Sequence, residues 1–146
     1  MLYLSKPSKF SPRFEVVGCF VESNEEILFL LRQDGKSEGN KWGVPAGKVD
    51  SDESPEIAIC RELKEETGLT VPKIKHILKV YVKYSEYDFV FNMYKARLSQ
   101  RQNILVKKDE HKDYQWVTPK QALGLNLVLD MDSCIKLLYN LDDSLG

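Results

Sequence analysis

The chain has 146 residues and a net charge of −1, from 21 Lys and Arg against 22 Asp and Glu. At 42% hydrophobic and 29% charged residues it is too apolar for a disordered chain and long enough to bury a core without disulfides. Its balanced charge excludes a protein held to nucleic acid by bulk electrostatics, so nucleic acid is not the expected partner. Cys19, Cys60 and Cys134 are far apart and form no CxxC pair. Neither a disulfide framework nor a thiolate zinc site is expected, and the cytoplasm is the expected compartment. Lys6, Ser8, Lys9 and Ser11 interrupt any leader-like run after Met1. No segment approaches the roughly 18 apolar residues of a membrane span, so no membrane association is expected. One domain over residues 1–146 is the expectation.

In chain order, Phe14 to Glu22 and Ile27 to Arg32 are apolar and partly β-branched, which predicts two strands joined by a turn over 23–26. Gln33 to Lys41 is polar with two glycines and predicts a surface loop. Trp42 to Val49 mixes Gly, Pro and Ala around one aromatic and is expected to be turn rather than regular structure. Pro55 to Thr67 predicts a helix, with Ser54 as N-cap, Pro55 in the first position and Gly68 as the stop. Ile74 to Tyr84 alternates Ile74, Leu78, Val80 and Val82 with Lys73, Lys75, Lys79 and Lys83, a strand with one face to water. Its lysine stripe suits either a solvated face or a polyanion. Tyr87 to Leu98 is the expected partner strand and Tyr114 to Thr118 a short last strand. Pro119 opens a helical turn, and Asp130 to Leu141 carries Met131, Ile135, Leu138 and Leu141 at helical spacing. The apolar face of this last helix would pack on its own sheet or on a second subunit, leaving monomer and homodimer both open. The order describes one α/β (α+β) domain.

Several chemistries are absent. There are two histidines, His76 and His111, too few for a histidine-rich metal site. No GxSxG occurs, and Gly43 to Lys48 has the wrong glycine spacing for a phosphate-binding P-loop, with Val49 where Ser or Thr should hold magnesium. The carboxylates of the central helix are different. At about 100° per residue, Glu65 and Glu66 fall near −60° and +40° from Glu62, so all three project from one side. Ile59, Cys60 and Leu63 form the adjoining apolar stripe. Acids at i, i+3 and i+4 repel one another, and the C-terminal half of a helix disfavours negative charge. A hard divalent cation would relieve both costs, and a solvated acidic face is the competing reading.

The spacing Gly47, five residues, Glu53, seven residues, then Arg61-Glu62-Leu63-Lys64-Glu65-Glu66-Thr67-Gly68-Leu69 resembles the Nudix box at all nine of its specified positions. The resemblance to the Nudix hydrolase (MutT-like) family implies a Nudix-type α/β/α sandwich with a mixed sheet, a central catalytic helix and a C-terminal helix. It implies hydrolysis of a nucleoside diphosphate linked to another moiety, X. Glu62, Glu65 and Glu66 would be the metal ligands, joined by the backbone carbonyl of Ala46, where many members have Gly. Mg²⁺ would be the cofactor, with Mn²⁺ as substitute. Glu53 and Arg61 match positions that brace the loop against the helix through a salt bridge. Glu110 resembles an additional glutamate outside the box that binds metal or serves as general base; an ordinary loop acid is the alternative. Either Glu66 or Glu110 would take the proton of the attacking water.

For substrate binding, Trp42 matches an aromatic lead-in that either packs under the loop or stacks a base. Arg32 and Lys41 flank the polar loop and would hold phosphates or simply face solvent. Tyr87 stands 18 residues past Leu69, where members acting on dinucleoside polyphosphates often carry a tyrosine. Tyr84 stands where those acting on ADP-ribose often carry proline, which argues against that substrate. Nucleoside triphosphates, dinucleoside polyphosphates and nucleotide sugars stay open as substrates. A silent nucleotide- or RNA-binding module is the alternative function, though every box glutamate is present.

Overall fold

The computed structural model describes residues 1–141. Its strands are β1 (Leu2–Tyr3), β2 (Pro12–Ser23), β3 (Glu26–Arg32), β4 (Trp42–Gly43), β5 (Ala46–Lys48), β6 (Ile74–Lys83), β7 (Asp88–Arg97) and β8 (His111–Val117). Its helices are α1 (Pro55–Thr67), α2 (Pro119–Ala122) and α3 (Met131–Tyr139). The eight strands form one mixed sheet in the order β1-β6-β7-β2-β3-β4, with β5 on β2 and β8 on β3. The β2–β7 pairing is parallel and runs from Pro12 opposite Asp88 to Glu22 opposite Arg97, while the other ladders are antiparallel.

Alternation along the central strands makes two cores, one on each face. Val17, Cys19 and Val21 of β2, with Leu28 and Leu30 of β3, pack against Ala58, Ile59 and Leu63 of α1. Phe20, Phe29, Phe91 and Met93 point the other way and pack against Met131, Cys134, Ile135 and Leu138 of α3. The apolar face of α3 is thus covered by its own sheet. This is the α/β sandwich with a mixed sheet that the resemblance implied. Among the described residues no helix is long and apolar enough to cross a membrane.

Local chemistry sets the ends of α1 where the sequence placed them. The Ser54 side chain accepts from the Ile57 N–H, Pro55 starts the helix, and Gly68 ends it at φ 77° with its N–H on the Lys64 carbonyl. Several expectations change. Trp42 to Val49 is not irregular throughout: it contributes β4 and β5, because β3 diverges from β2 after the hairpin and leaves a β2 edge open. Ala46–Lys48 fills that edge opposite Gly18–Val16, flanked by bonds from the Cys19 N–H to the Pro45 carbonyl (3.0 Å) and from the Val49 N–H to the Glu15 carbonyl (2.9 Å). Cys60 is exposed rather than part of the core stripe, and Ala58 lies inside in its place.

The period-two reading of β6 also breaks. A register shift between His76 and Leu78 inserts Ile77, so Ile74 faces the α1 core while Leu78, Val80 and Val82 face the α3 core. Lys73, Lys75 and Lys79 are exposed, and Lys83 pairs with Asp88 at 3.6 Å. β8 begins at His111 rather than Tyr114, its polar start paired with β3 as far as Arg32. β1, on the sheet edge beside Tyr81 and Val82, has no counterpart in the sequence reading.

Candidate active site

α1 packs against β2 and β5, which lays the β4–β5 segment over the helix's acidic side. Gly47 is required for this approach, since a Cβ at that position would overlap the Glu62 carboxylate. One residue earlier, the Ala46 N–H donates to Glu66 Oε2 at 3.2 Å. Glu62 and Glu66 are therefore buried under backbone, at 8% and 4% exposure, and are not a solvated acidic face. Glu65 stays at the surface, its side chain 44% exposed.

Arg61 organises the outer carboxylates. Its Nε and Nη2 donate to the two oxygens of Glu53 at 3.0 and 2.5 Å, and its Nη1 to Glu62 Oε1 at 2.9 Å and Glu65 Oε2 at 3.3 Å. Nη2 also reaches the Lys48 carbonyl at 3.0 Å, and the Asp50 N–H donates to Glu53 Oε1 at 3.0 Å. The helix and the loop before it are clamped by one guanidinium in a fork geometry that lysine does not reproduce. The hydrogen bonds from Arg61 hold the Glu53 carboxyl below its usual range and push the Arg61 pKa up. The expected Glu53–Arg61 pair is present. The flexible Arg61 side chain also folds over the helix to reach the neighbouring Glu62 and Glu65.

Glu66 has no such clamp among the described residues. Burial pushes the Glu66 pKa up to about 9, with the charges of Glu62 and Glu110 adding to the rise and the Ala46 N–H and Arg32 opposing it. Burial likewise raises Glu62, against the pull of Arg61. Across the cavity, the turn before β8 presents Glu110 and the first residue of β8 is His111. Both of their N–H groups donate to the Lys107 carbonyl, at 2.9 and 2.8 Å, and the Glu110 carbonyl accepts from the Gln33 N–H at 2.9 Å. Glu110 itself is partly exposed and lies 3.7 Å from Lys107 Nζ.

Ligand atoms of Glu66, Glu110 and His111 all lie within 4.8 Å of one another. This cluster shares Glu66 and Glu110 with the set of Glu62, Glu65, Glu66, Ala46 and Glu110 expected from the sequence, and adds His111. Glu62 and Glu65 share a helix side with Glu66, yet both turn toward Arg61. His111 was overlooked because a count of two histidines argued against a histidine-rich site; its adjacency to Glu110 was the available signal. Two carboxylates and an imidazole, two of the three deeply buried, are a donor set suited to a divalent cation.

A cavity of about 220 Å³ lies over this cluster, lined by Arg32, Glu38, Ala46, Glu66, His111 and Val128. It adjoins a second of about 230 Å³, which shares Glu38, Ala46 and Val128 and is walled by Phe14, Tyr84, Tyr87 and Phe89. Phe14 stands 5.3 Å from both Tyr87 and Phe89, centroid to centroid. Larger hollows of about 640 and 680 Å³ lie elsewhere, and the residues around them do not include this cluster. Of the residues proposed from sequence to hold substrate, Arg32 and Tyr87 line these two adjoining cavities. Arg32 is steadied by a 2.7 Å bond from its Nε to the Ser37 carbonyl. Lys41 instead pairs with Glu38 at 3.6 Å, outside both linings. Trp42 packs against the α3-side core, with its N–H on the Asn126 carbonyl at 2.8 Å.

The NUDIX domain family model matches residues 12–138. An RNA pyrophosphohydrolase of Zymomonas mobilis is 28% identical over 149 aligned residues, which cover 88% of this chain and 94% of that protein. A CTP pyrophosphohydrolase of Escherichia coli is 27% identical over 109, covering 75% and 78%. Among solved structures, the NUDIX domain of Shewanella oneidensis NrtR complexed with ADP ribose superposes with a TM-score of 0.76. That likeness, at 22% identity over 93% of this chain and 92% of the other, is one of fold.

Proposed function

The chain belongs to the Nudix family and is a hydrolase of pyrophosphate bonds, and we propose that it cleaves a nucleoside diphosphate linked to a further moiety in a reaction dependent on Mg²⁺, with Mn²⁺ as substitute. The substrate is a nucleoside triphosphate, a dinucleoside polyphosphate or a nucleotide sugar, and residues 1–146 act as one catalytic domain. The observation that carries this reading is the adjacency of two unlike cavities. One presents buried carboxylates and Arg32; the other presents aromatic rings. Together they suit a ligand with a charged end and a flat apolar end, and their combined size falls in the small-molecule range.

The placement of each residue supports the part proposed for it. Glu66, Glu110 and the Ala46 carbonyl, with Glu62 and Glu65 on the same helix, are the groups that would hold the cation. A bound cation would supply positive charge to the pyrophosphate oxygens and lower the pKa of a nearby water. Arg32 reaches into the same cavity and takes a phosphate oxygen by charge-assisted hydrogen bonding. Glu110 accepts the proton of the attacking water. It sits across from Glu66 on a pinned turn, and its partial exposure lets it pass that proton to solvent. Arg61 and Glu53 act as positioning residues that hold the helix to its loop. Phe14, Tyr84, Tyr87 and Phe89 take the base, and no covalent intermediate is required for in-line displacement by water.

Product analysis by ion-exchange chromatography with Mg²⁺ tests this. The panel holds nucleoside triphosphates, an oxidised purine triphosphate, ADP-ribose, a nucleotide sugar, NADH, diadenosine tetraphosphate and a 5′-triphosphorylated RNA. Cleavage of at least one nucleotide by the native chain and none by Glu66→Gln is expected. Cleavage confined to the RNA would overturn the small-molecule assignment. Metal-dependent binding without turnover anywhere on the panel would overturn the catalytic one.

A further inference from the structure

We propose that His111 is a nitrogen ligand of the cation site formed with Glu66 and Glu110, and that its imidazole strengthens the binding of Mn²⁺ more than that of Mg²⁺. The inference rests on the reading that this cavity binds a divalent cation. His111 is 5% exposed, and its Nδ1 is buried without a hydrogen-bond partner among the described residues. A buried imidazole nitrogen left unpaired is costly, and native structures seldom keep one without a use.

Three features say what the use is. First, His111 lines the cavity over Glu66, and its ligand atom lies within 4.8 Å of one from Glu66 and one from Glu110. A cation with ligands at about 2.1 Å holds neighbouring donors roughly 3 Å apart and opposite donors a little over 4 Å apart, so binding draws the three side chains inward from within 4.8 Å by rotamer adjustment rather than chain movement. Second, no hydrogen bond joins His111 to either carboxylate among the described residues. The three donors converge on common space instead of on one another. Third, the position is preset: the His111 N–H is tied to the Lys107 carbonyl at 2.8 Å, and the residue pairs with Arg32 across the β3–β8 ladder. Local order of this kind lets a ligand act without reorganising the chain.

The donor chemistry then sets the difference. Carboxylate oxygens alone suit Mg²⁺, which keeps its waters and gains little from a nitrogen ligand. Mn²⁺ shares the oxygen ligands that suit Mg²⁺ and stands at the weak end of the transition series, so one nitrogen among oxygens adds modestly to its binding and less to that of Mg²⁺.

The test is pulsed electron paramagnetic resonance of Mn²⁺ added to the metal-stripped full chain, with native and ¹⁵N-histidine-labelled protein. Nitrogen modulation that changes frequency on labelling is expected, retained in His76→Gln and lost in His111→Gln. A Mn²⁺ titration should show a Kd raised about 10-fold in His111→Gln, with the Mg²⁺ competition constant moved less than about 3-fold. His111→Asn repeats the test with a smaller polar side chain. The labelled native chain reports ligation even where a variant does not fold. Mn²⁺ bound without nitrogen modulation overturns the role of His111 and leaves the carboxylate site standing. Absence of Mn²⁺ binding by the native chain overturns the cation site itself.

Discussion

The carboxylates around α1 divide into two regions with opposite electrostatics. On the outer side, Glu53, Glu62 and Glu65 converge on Arg61, and one guanidinium spends its donors on all three and on the Lys48 carbonyl. That side is partly compensated from within, and its ion pairs brace the helix against its loop. On the inner side, Glu66 has no ion-pair partner among the described residues, and Glu110 has an exposed lysine. Arg32 faces the same cavity without reaching ion-pair distance of either, and His111 leaves a nitrogen unbonded. An uncompensated buried carboxylate opposes folding. The same helix thus carries a finished cluster and an unfinished one, and the unfinished one marks where an added cation repays its own binding by folding linkage.

Removing the inner acid should separate activity from stability most sharply. Glu66→Gln keeps the side chain's size and its contact with the Ala46 N–H, so circular dichroism should be unchanged while kcat falls about 10³-fold. Turnover within 10-fold of the native chain would break the division of the ridge into two roles. Disturbing the outer cluster should behave differently. Arg61→Gln leaves Glu53 and Glu62 without their partner, so it should cost about 1–3 kcal/mol of stability together with a roughly 10- to 100-fold loss of kcat. Calorimetry and steady-state kinetics on one preparation check this. An Arg61 variant of native stability would show that the outer cluster is not the brace described.

How much of this was legible in the sequence follows from the range of each interaction. The α1 boundaries were readable because Ser54, Pro55 and Gly68 act on backbone groups within one helical turn of themselves. The Nudix-box glutamates were readable because helical periodicity puts Glu62, Glu65 and Glu66 on one side. Which of them turns inward was not, since it depends on where a flexible Arg61 side chain comes to rest. The β4 and β5 strands were hidden because their regularity comes from a free β2 edge, not from Gly43, Pro45 or Gly47. The bulge at Ile77 was hidden because the alternation counted on paper does not register an inserted residue. His111 was hidden because Glu66, on α1, lies far away in the chain, and only the folded sheet brings the two together.

The inner region should also reveal itself through pH in the absence of metal. Glu66 titrates at about 9 in the folded chain, against about 4.5 for an ordinary glutamate. Across that window the folded state binds more protons at this site than the unfolded state does. Stability from this group is therefore fully present below pH 4.5 and declines as pH rises toward 9. Glu66→Gln removes the dependence. In EDTA its Tm should match the native chain near pH 5 and exceed it by several degrees near pH 9. A difference in Tm that stays constant with pH would mean that the two regions do not differ in charge compensation.

The smallest effect concerns the aromatic cavity that adjoins the inner cluster. Tyr87 contributes one of five rings to its wall, and a single stacking contact with a base contributes on the order of 1 kcal/mol. Tyr87→Ala should therefore raise KM about 5-fold for a cleaved nucleotide and leave kcat within about 2-fold, because the ring lies apart from the carboxylates that handle the reacting water. Trp42→Phe supplies the contrast: Trp42 packs against the α3-side core and lines neither cavity, so its loss should lower Tm and leave KM unchanged. If Tyr87→Ala instead lowered kcat with KM unchanged, the ring would act on the geometry of the inner cluster, and base and phosphate binding would not be separable between the two cavities.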